Sequence, residues 1–226
     1  MSTLDEKITF PGDVTIDRLR LYNKNDDHID LTLGQATEIL IYESMFAPCM
    51  FGSLTMADAD AIIEKFPIVG GEALTIKLRT KTFPDREEDI IYRSFVVVSI
   101  ENRKLENDRE QTYVLNFISI EGYTDMVNTI SQAVPGDVDG EGAFNTARIA
   151  KNIFETYIAT TGRVYLEKEK STLAIYDEHT SDIQYVSNNW TPFQNMNYIC
   201  AHMDEKTHPG SDNVFFETNK GFILSS

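Results

Sequence analysis

Alternating apolar residues between positions 39 and 80 limit this chain to a narrow set of folds. In residues 39–46 apolar side chains occupy both faces of a two-residue period: Ile39, Ile41 and Met45 on one face, and Leu40, Tyr42 and Phe46 on the other. A strand with this pattern is expected to be covered on both sides. One cover can be the core of the chain and the other a neighbouring subunit, or both can be plain core.

The same stretch predicts two more strands and a turn. A second alternating run covers residues 50–56, and a third covers residues 74–79. Between them a short amphipathic helical turn ends at Pro67, and Gly70 and Gly71 supply a bend because glycine tolerates positive φ. Only one face of the third run is apolar, which indicates a half-buried strand.

The first half of the chain is rich in predicted strands. Long strand patterns at residues 90–101 and 111–121 are joined by a charged connection, which is typical of an antiparallel pair. At least six strands precede residue 122, with little helix. We therefore predict an antiparallel β-barrel or β-sandwich domain over residues 1–130.

The second half has helical periodicity. Residues 143–160 form one apolar stripe, and residues 191–203 form another. Thr191, Pro192 and Gln194 fit the cap, first position and third position of a capping box, with Trp190 placed to pack back onto the helix. A hairpin pattern at residues 214–224 follows. We predict a small α+β domain over residues 131–226, so the whole chain is α+β and mainly β.

The net charge of −16 argues against nucleic-acid binding, which needs Lys and Arg to neutralise phosphates. Such a charge can repel DNA from a wall or simply confer solubility. Cys49 and Cys200 are the two cysteines and are expected to be buried free thiols of a protein made in a reducing cytoplasm. No apolar run approaches membrane-spanning length, so no membrane partner is expected.

Motifs that carry chemistry are absent from the sequence. There is no phosphate-binding glycine loop and no nucleophile elbow, and the acidic segment 135–142 lacks the ligand spacing of an EF-hand. One cluster has metal-ligand residue types: Cys200, His202, Asp204 and His208. The helical period turns His202 away from Cys200, which favours a buried thiol beside exposed polar groups over zinc. We expect no enzymatic activity, no metal and no cofactor.

Several segments, taken in order, resemble a known family. They are IYESMFAPCMFGSLTMAD, FPIVGGEALTIKLRT, IIYRSFVVVSIENRK, NNWTPFQNMNYICAHM and NVFFETNKGFILSS. Their pattern and order resemble the N-terminal part of baseplate hub proteins from contractile-tailed bacteriophages. The resemblance implies a tail-tube-like barrel followed by a smaller segment, in a structural virion protein of the tail baseplate made in the host cytoplasm.

The resemblance also implies partners. Hub proteins of this family form a homotrimeric ring that joins the tail tube protein above to a trimeric spike protein below, beside other baseplate proteins. DNA passes through the lumen without specific binding. Each family member carries two tube-like domains, whereas this sequence has one recognisable barrel-like half. The expectation that follows is an N-terminal fragment, or a ring that this chain does not close alone.

Two further functions stay open from the residues. One is a carbohydrate-binding or glycan-active β-domain with a cleft lined by Trp190 and tyrosines; the other is a tail tube or tail terminator protein that assembles as hexamers. For the hub interpretation, the resemblance places the alternating strands and the following turn in the ring. The expected subunit contacts are Ile39, Ile41, Tyr42, Met45, Phe46, Pro67, Gly70, Gly71 and Glu72.

Overall fold

Two β-sheets and several short helices form the regular structure of this chain in a computed structural model. The structure describes residues 14–32, 34–80, 90–107, 110–135, 144–159, 171–176, 179–206 and 210–226. Within these ranges no helix is both long enough and apolar enough to cross a bilayer. The mainly β class expected from the sequence is confirmed.

The larger sheet is a curled antiparallel half-barrel with the strand order β2-β1-β5-β6-β7-β4-β3. Its strands are β1 (Val14–Tyr22), β2 (His28–Asp30), β3 (Ala36–Tyr42), β4 (Phe51–Asp58), β5 (Ala73–Thr80), β6 (Ile91–Asn107) and β7 (Glu110–Ser119). Sequential strands are mostly neighbours, but β4 pairs with β7, which brings β3 to one end of the sheet. The edge position of β3 is therefore a product of topology.

The core of this sheet follows from alternation. Leu19 and Leu21 of β1 lie opposite Ile76 and Leu74 of β5, and all four are buried. Aromatic rings from neighbouring strands join them, since Phe95 lies 4.8 Å from Phe117 between ring centroids. These contacts remove large apolar surfaces from water, which is the dominant stabilising term of such a sheet.

A short helix, α1 (Ile62–Lys65), follows β4, close to the predicted turn. The buried carboxylate of Asp58 prepares its start: Oδ1 accepts a 2.9 Å hydrogen bond from Ile62 N, and Oδ2 accepts one of 3.3 Å from the Tyr113 hydroxyl. Burial raises the pKa of Tyr113, with the neighbouring Asp58 charge adding to the shift. The Asp58 carboxylate thus satisfies backbone amides at the start of α1.

The remaining helices lie in the second half of the chain: α2 (Ile120–Val127), α3 (Thr146–Ile153), a π-helical turn (Phe154–Ile158) and α4 (Pro192–Cys200). A small sheet of β8 (Leu173–Ile175), β9 (Val214–Thr218) and β10 (Gly221–Ser225) has the order β8-β10-β9. The predicted helix at 143–160 is an α-helix that widens into a π turn, and Ala143 and Thr160 lie outside the described residues.

Helix α4 confirms the capping box. Thr191 Oγ1 accepts a hydrogen bond from Gln194 N, and Gln194 Oε1 accepts one from Thr191 N at 3.0 Å. The helix ends at Cys200, three residues before the predicted end. Its predicted apolar stripe is buried in the core of this half: Phe193, Met196, Cys200 and Met203.

Chain contacts divide the molecule into two compact units. One comprises Met1–Leu40 with Gly52–Phe117, and the other comprises Ile41–Phe51 with Ile118–Ser226. The segment at 41–51 thus belongs with the second half of the chain by its contacts.

Candidate functional site

Strand β3 is a sheet edge with exposed apolar side chains. Its neighbour is β4, and within the described ranges no strand pairs with its other side. Leu40 is 37 % exposed and Tyr42 48 % exposed, while Ile39 and Ile41 are only partly buried. The exposure of Leu40 and Tyr42 within the single chain contradicts the plain-core alternative, and a second cover from a neighbouring subunit stays a prediction.

The predicted strand at 39–46 stops at Tyr42, because a turn begins there. Ser44 O accepts a hydrogen bond from Ala47 N at 3.1 Å, and Ser44 Oγ accepts one from Phe46 N at 3.2 Å. The alternation of Met45 and Phe46 therefore belongs to a loop. Met45 is 49 % exposed and Phe46 86 % exposed, so the loop presents its two largest apolar side chains to solvent.

Both ends of this loop are held by hydrogen bonds to the hairpin of β9 and β10. Glu43 Oε2 accepts from Asn219 N, and the buried Glu217 Oε2 accepts from Met50 N, each at 2.9 Å. Met50 O in turn accepts from Ser119 N at 2.8 Å. The sequence reasoning missed Glu43 and Glu217. The alternation in β9 could have identified Glu217, because this residue lies on the same face of the strand as the buried Phe215.

A cavity of about 370 Å³ lies beside the loop. Met45, Phe46 and Pro48 form one side of it, and the end of α4 and the start of β9 form the rest. Among the described residues, the buried Ser211 Oγ and Asn213 Oδ1 have no hydrogen-bond partner. Among the residues that the structure describes, neither Trp190 nor a tyrosine lines this cavity.

Trp190 packs on the protein itself. Its ring lies 5.4 Å from that of Tyr198, which stacks on Tyr185 at 5.3 Å and on His202 at 4.1 Å. Trp190 therefore packs back onto α4 as expected from its place before the cap. His202 is exposed, whereas Cys200 is 4 % exposed, so the predicted separation of these two side chains is confirmed. His208 lies outside the described residues.

The turn at 67–72 is organised by Glu72. This side chain is 5 % exposed, and its carboxylate accepts hydrogen bonds from Val69 N and Gly70 N, each at 2.9 Å. Gly70 and Gly71 have φ of 102° and 92°, which glycine adopts without strain. Pro67 is exposed, and the tip of the turn is Val69, 84 % exposed. Glu72 thus shapes the turn, and Val69 is the surface residue missed by sequence reasoning.

Both cysteines are free thiols, as predicted, although Cys49 is only partly buried. Burial raises the pKa of Cys49 to about 12, and the charges of Glu217, Asp125 and Glu121 add to the shift. Burial also raises the pKa of Cys200 to about 12. Burial therefore favours the protonated form of both thiols, which is a poor nucleophile.

No family model and no curated protein sequence matches this chain. Several solved structures are similar to it. The chain is similar to a 43 kDa tail protein of prophage MuSo2 from Shewanella oneidensis, with a TM-score of 0.57, 11% identity, and coverage of 93% of this chain and 55% of that protein. It is also similar to a tail protein of Neisseria meningitidis MC58, with a TM-score of 0.52, 8% identity and coverage of 92% and 49%.

A third similar structure is a chain of the Francisella PdpA-VgrG complex, with a TM-score of 0.50, 10% identity, and coverage of 94% of this chain and 28% of that one. The chain thus spans about half of the length of the two tail proteins. At such identities the likeness is one of fold. This chain has the fold of phage tail proteins.

Proposed function

We propose that this chain is a structural virion protein, the central baseplate hub that joins the tail tube to a trimeric spike. The observation that carries the proposal is the exposed apolar edge of β3 with its loop: Leu40, Tyr42, Met45 and Phe46. The tail-protein fold supports it, because assembly is the general task of a tail component.

Monomeric proteins seldom expose a long apolar edge strand, because its unpaired backbone groups can pair with another chain. Natural sheets protect their edges with short strands, charges, proline or a covering element. Strand β3 is seven residues long, and Glu38 is its one charged residue. Phe46 then adds an apolar side chain to the same exposed stretch of chain. A partner that pairs with this edge would satisfy its backbone groups and bury its side chains.

The proposed assembly is a homotrimeric ring. A contact between different surfaces of identical subunits closes into a ring when the rotation allows it. In this proposal residues 1–130 act as the tube-like domain and residues 131–226 as an accessory α+β domain. Tail tube, spike and other baseplate proteins are the partners, and DNA passes an acidic wall without specific binding, consistent with the net charge of −16. The role is mechanical, without turnover.

The test is the mass of the purified chain by light scattering across concentration and salt, alone and with spike and tail tube proteins. A trimer, alone or on addition of spike, is the expected result. Hexamers would instead favour a tail tube or terminator protein. A monomer under every condition, including the mixtures, would overturn the proposal, and oligosaccharide binding by that monomer would favour the glycan alternative.

A further inference from the structure

Two cations and a tyrosine form a row across three adjacent strands of the larger sheet. Arg18 of β1 lies opposite Lys77 of β5, and Lys77 lies opposite Tyr92 of β6. The Arg18 guanidinium carbon and the Lys77 ammonium each lie 5.8 Å from the centroid of the Tyr92 ring. Arg18 Nη1 also donates a 3.0 Å hydrogen bond to the Tyr92 hydroxyl. We call these three residues the basic row.

Arg18 and Lys77 place two positive charges directly opposite one another on adjacent strands. Like charges directly opposite one another destabilise a sheet, and the attraction of each cation to the Tyr92 ring offsets only part of the repulsion. In the described part of the chain, neither Arg18 nor Lys77 forms an ion pair with a carboxylate. Two like charges placed together in a chain of net charge −16 indicate a site that receives an anion.

Neighbouring cations on the same strands are paired within the chain. Arg20 Nε lies 2.6 Å from Asp30 Oδ1, and Arg79 Nε lies 2.9 Å from Asp17 Oδ1. The Arg20 guanidinium lowers the pKa of Asp30 through its hydrogen bond. The carboxylates needed to neutralise a cation are therefore available on this sheet. Among the described residues, Arg18 and Lys77 differ from these neighbours in having no carboxylate within ion-pair distance, although the charge of Arg18 also helps to lower the pKa of Asp30.

We infer that the basic row binds the Glu38 carboxylate of a second copy of this chain. Glu38 is exposed on β3, at the opposite end of the sheet from β1 and β2. Within its own chain the Glu38 carboxylate has a 3.5 Å contact with Thr55 Oγ1, which is at the limit of a hydrogen bond. The inference rests on the proposed ring and names the charged contact between its subunits.

Two different surfaces of the sheet carry opposite charge. The basic row crosses β1, β5 and β6, the second to fourth strands in the order, and the edge strand β3 carries Glu38 among exposed apolar side chains. A head-to-tail contact pairs these different surfaces in every subunit, so each copy uses both of them once. Nucleic acid is the other anion that two cations and an aromatic ring can bind. The strongly acidic composition favours a protein carboxylate, because the rest of the surface repels phosphate.

The first test is zero-length cross-linking of the intact chain with a water-soluble carbodiimide, which joins an amine to a carboxylate only in direct contact. Mass spectrometry of a mixture of isotopically light and heavy protein identifies links between copies. The expected product is an intermolecular amide between Lys77 and Glu38. Lys77→Arg should abolish this link and keep the association, because a guanidinium retains the charge but does not react.

The second test is charge reversal. Arg18→Glu/Lys77→Glu should weaken self-association at least about tenfold, since it places like charges in contact. The matched control Lys24→Glu/Lys65→Glu, at two exposed lysines of a turn and of α1, makes the same change in net charge and should leave association unchanged. A mixture of the double variant with Glu38→Lys should form mixed dimers through the restored charge contact, whereas each variant alone self-associates at least about tenfold more weakly than the wild type. A closed ring of three is not expected from the mixture, because three subunits cannot alternate two variants.

The outcomes separate this inference from the proposed function. Self-association that is equally strong in Arg18→Glu/Lys77→Glu, with no Lys77–Glu38 link, overturns the basic row as a contact and leaves the ring proposal standing. A chain that stays monomeric with its spike and tube partners overturns both. Binding of fluorescent duplex DNA to the wild type, lost in the double variant but kept in the control, would overturn the inference by assigning the row to nucleic acid.

Discussion

Met50 N donates a 2.9 Å hydrogen bond to Glu217 Oε2, although 167 positions of sequence separate the two residues. Glu217 is fully buried, so the bond is shielded from water. It fixes the end of the loop that exposes Met45 and Phe46. A contact made by β9 thus anchors the candidate assembly loop within its own unit.

Glu217→Ala should destabilise the protein by about 2–4 kcal/mol, because it leaves the Met50 amide unsatisfied and removes buried atoms. Glu217→Gln keeps an acceptor and a similar volume, so its loss should be smaller. Urea unfolding followed by circular dichroism gives both free energies of unfolding. Equal losses in the two variants would contradict the hydrogen bond as the stabilising interaction.

Gly52→Ala should destabilise the protein by about 3 kcal/mol or more, because the added methyl group would clash with backbone atoms that cannot move aside easily. A Cβ at Gly52 would lie 2.1 Å from Leu40 O and 2.5 Å from the Phe117 ring. Gly34→Ala is the matched control, since its nearest atom would be Thr32 Oγ1 at 3.9 Å. Thermal unfolding of both variants measures the difference. A tolerated Gly52→Ala would mean that β3 does not approach β4 this closely.

Glu72→Ala should cost about 1–3 kcal/mol of folding free energy, since the amides of Val69 and Gly70 lose their acceptor, the buried carboxylate of Glu72. Glu72→Gln retains part of this bonding and should fold with a smaller loss. Both variants are compared by urea unfolding and by light scattering. If Glu72→Gln kept full stability but lost assembly, the carboxylate would act in the subunit contact instead of shaping the turn.

Titration of the Asp125 carboxyl should contribute to the pH dependence of the free energy of unfolding. Burial raises the pKa of this carboxyl above its ordinary value of 3.8, against hydrogen bonds from Phe193 N and Thr191. A raised carboxyl pKa stabilises the fold at pH values below 3.8, and this contribution is lost as the pH rises through the folded-state pKa. The free energy of unfolding of wild type minus that of Asp125→Asn should therefore fall between pH 3.5 and neutral pH.

The comparison with Asp125→Asn isolates this residue, because the other carboxylates titrate equally in both proteins. Urea unfolding at several pH values in one buffer system supplies the two series. A difference that rises with pH would mean that the hydrogen bonds outweigh burial at this carboxyl.

Phe46→Ser should weaken assembly at least about tenfold while changing the free energy of unfolding by less than about 0.5 kcal/mol, as is usual for exposed positions. Leu105→Ser is the control, because Leu105 is also an exposed apolar residue, at 67 %, and lies on β6. Light scattering and urea unfolding are measured together. If Phe46→Ser left assembly unchanged, the loop would not be part of the proposed contact.

Ile41→Lys tests whether the Ile41 side chain of β3 belongs to the subunit contact or to the core of its own chain. Ile41 is only partly buried, so the monomer should stay folded while assembly is lost. Circular dichroism reports folding, and light scattering reports mass. An unfolded monomer would mean that this side chain is needed within the chain.

Local patterns predicted those elements whose determinants are close in sequence. The capping box of Thr191 and Gln194 spans three residues, and the buried stripe of α4 repeats every three or four, so both were predicted correctly. The mainly β class followed from the two-residue period of several long strands. In contrast, alternation at Met45 and Phe46 predicted strand where a serine turn exists, because a two-residue period does not report which backbone amides find a partner.

By itself the sequence determined the class of fold, the start of α4, the free thiols and the net negative charge, since these depend on local propensity and composition. Only the tertiary structure decided that β3 is an edge, that Glu217 holds the end of its loop, and that Arg18 and Lys77 lie side by side. The physical reason is that strand order and register come from pairings across long stretches of chain. Those pairings are chosen by the total buried area and hydrogen bonding of the whole sheet.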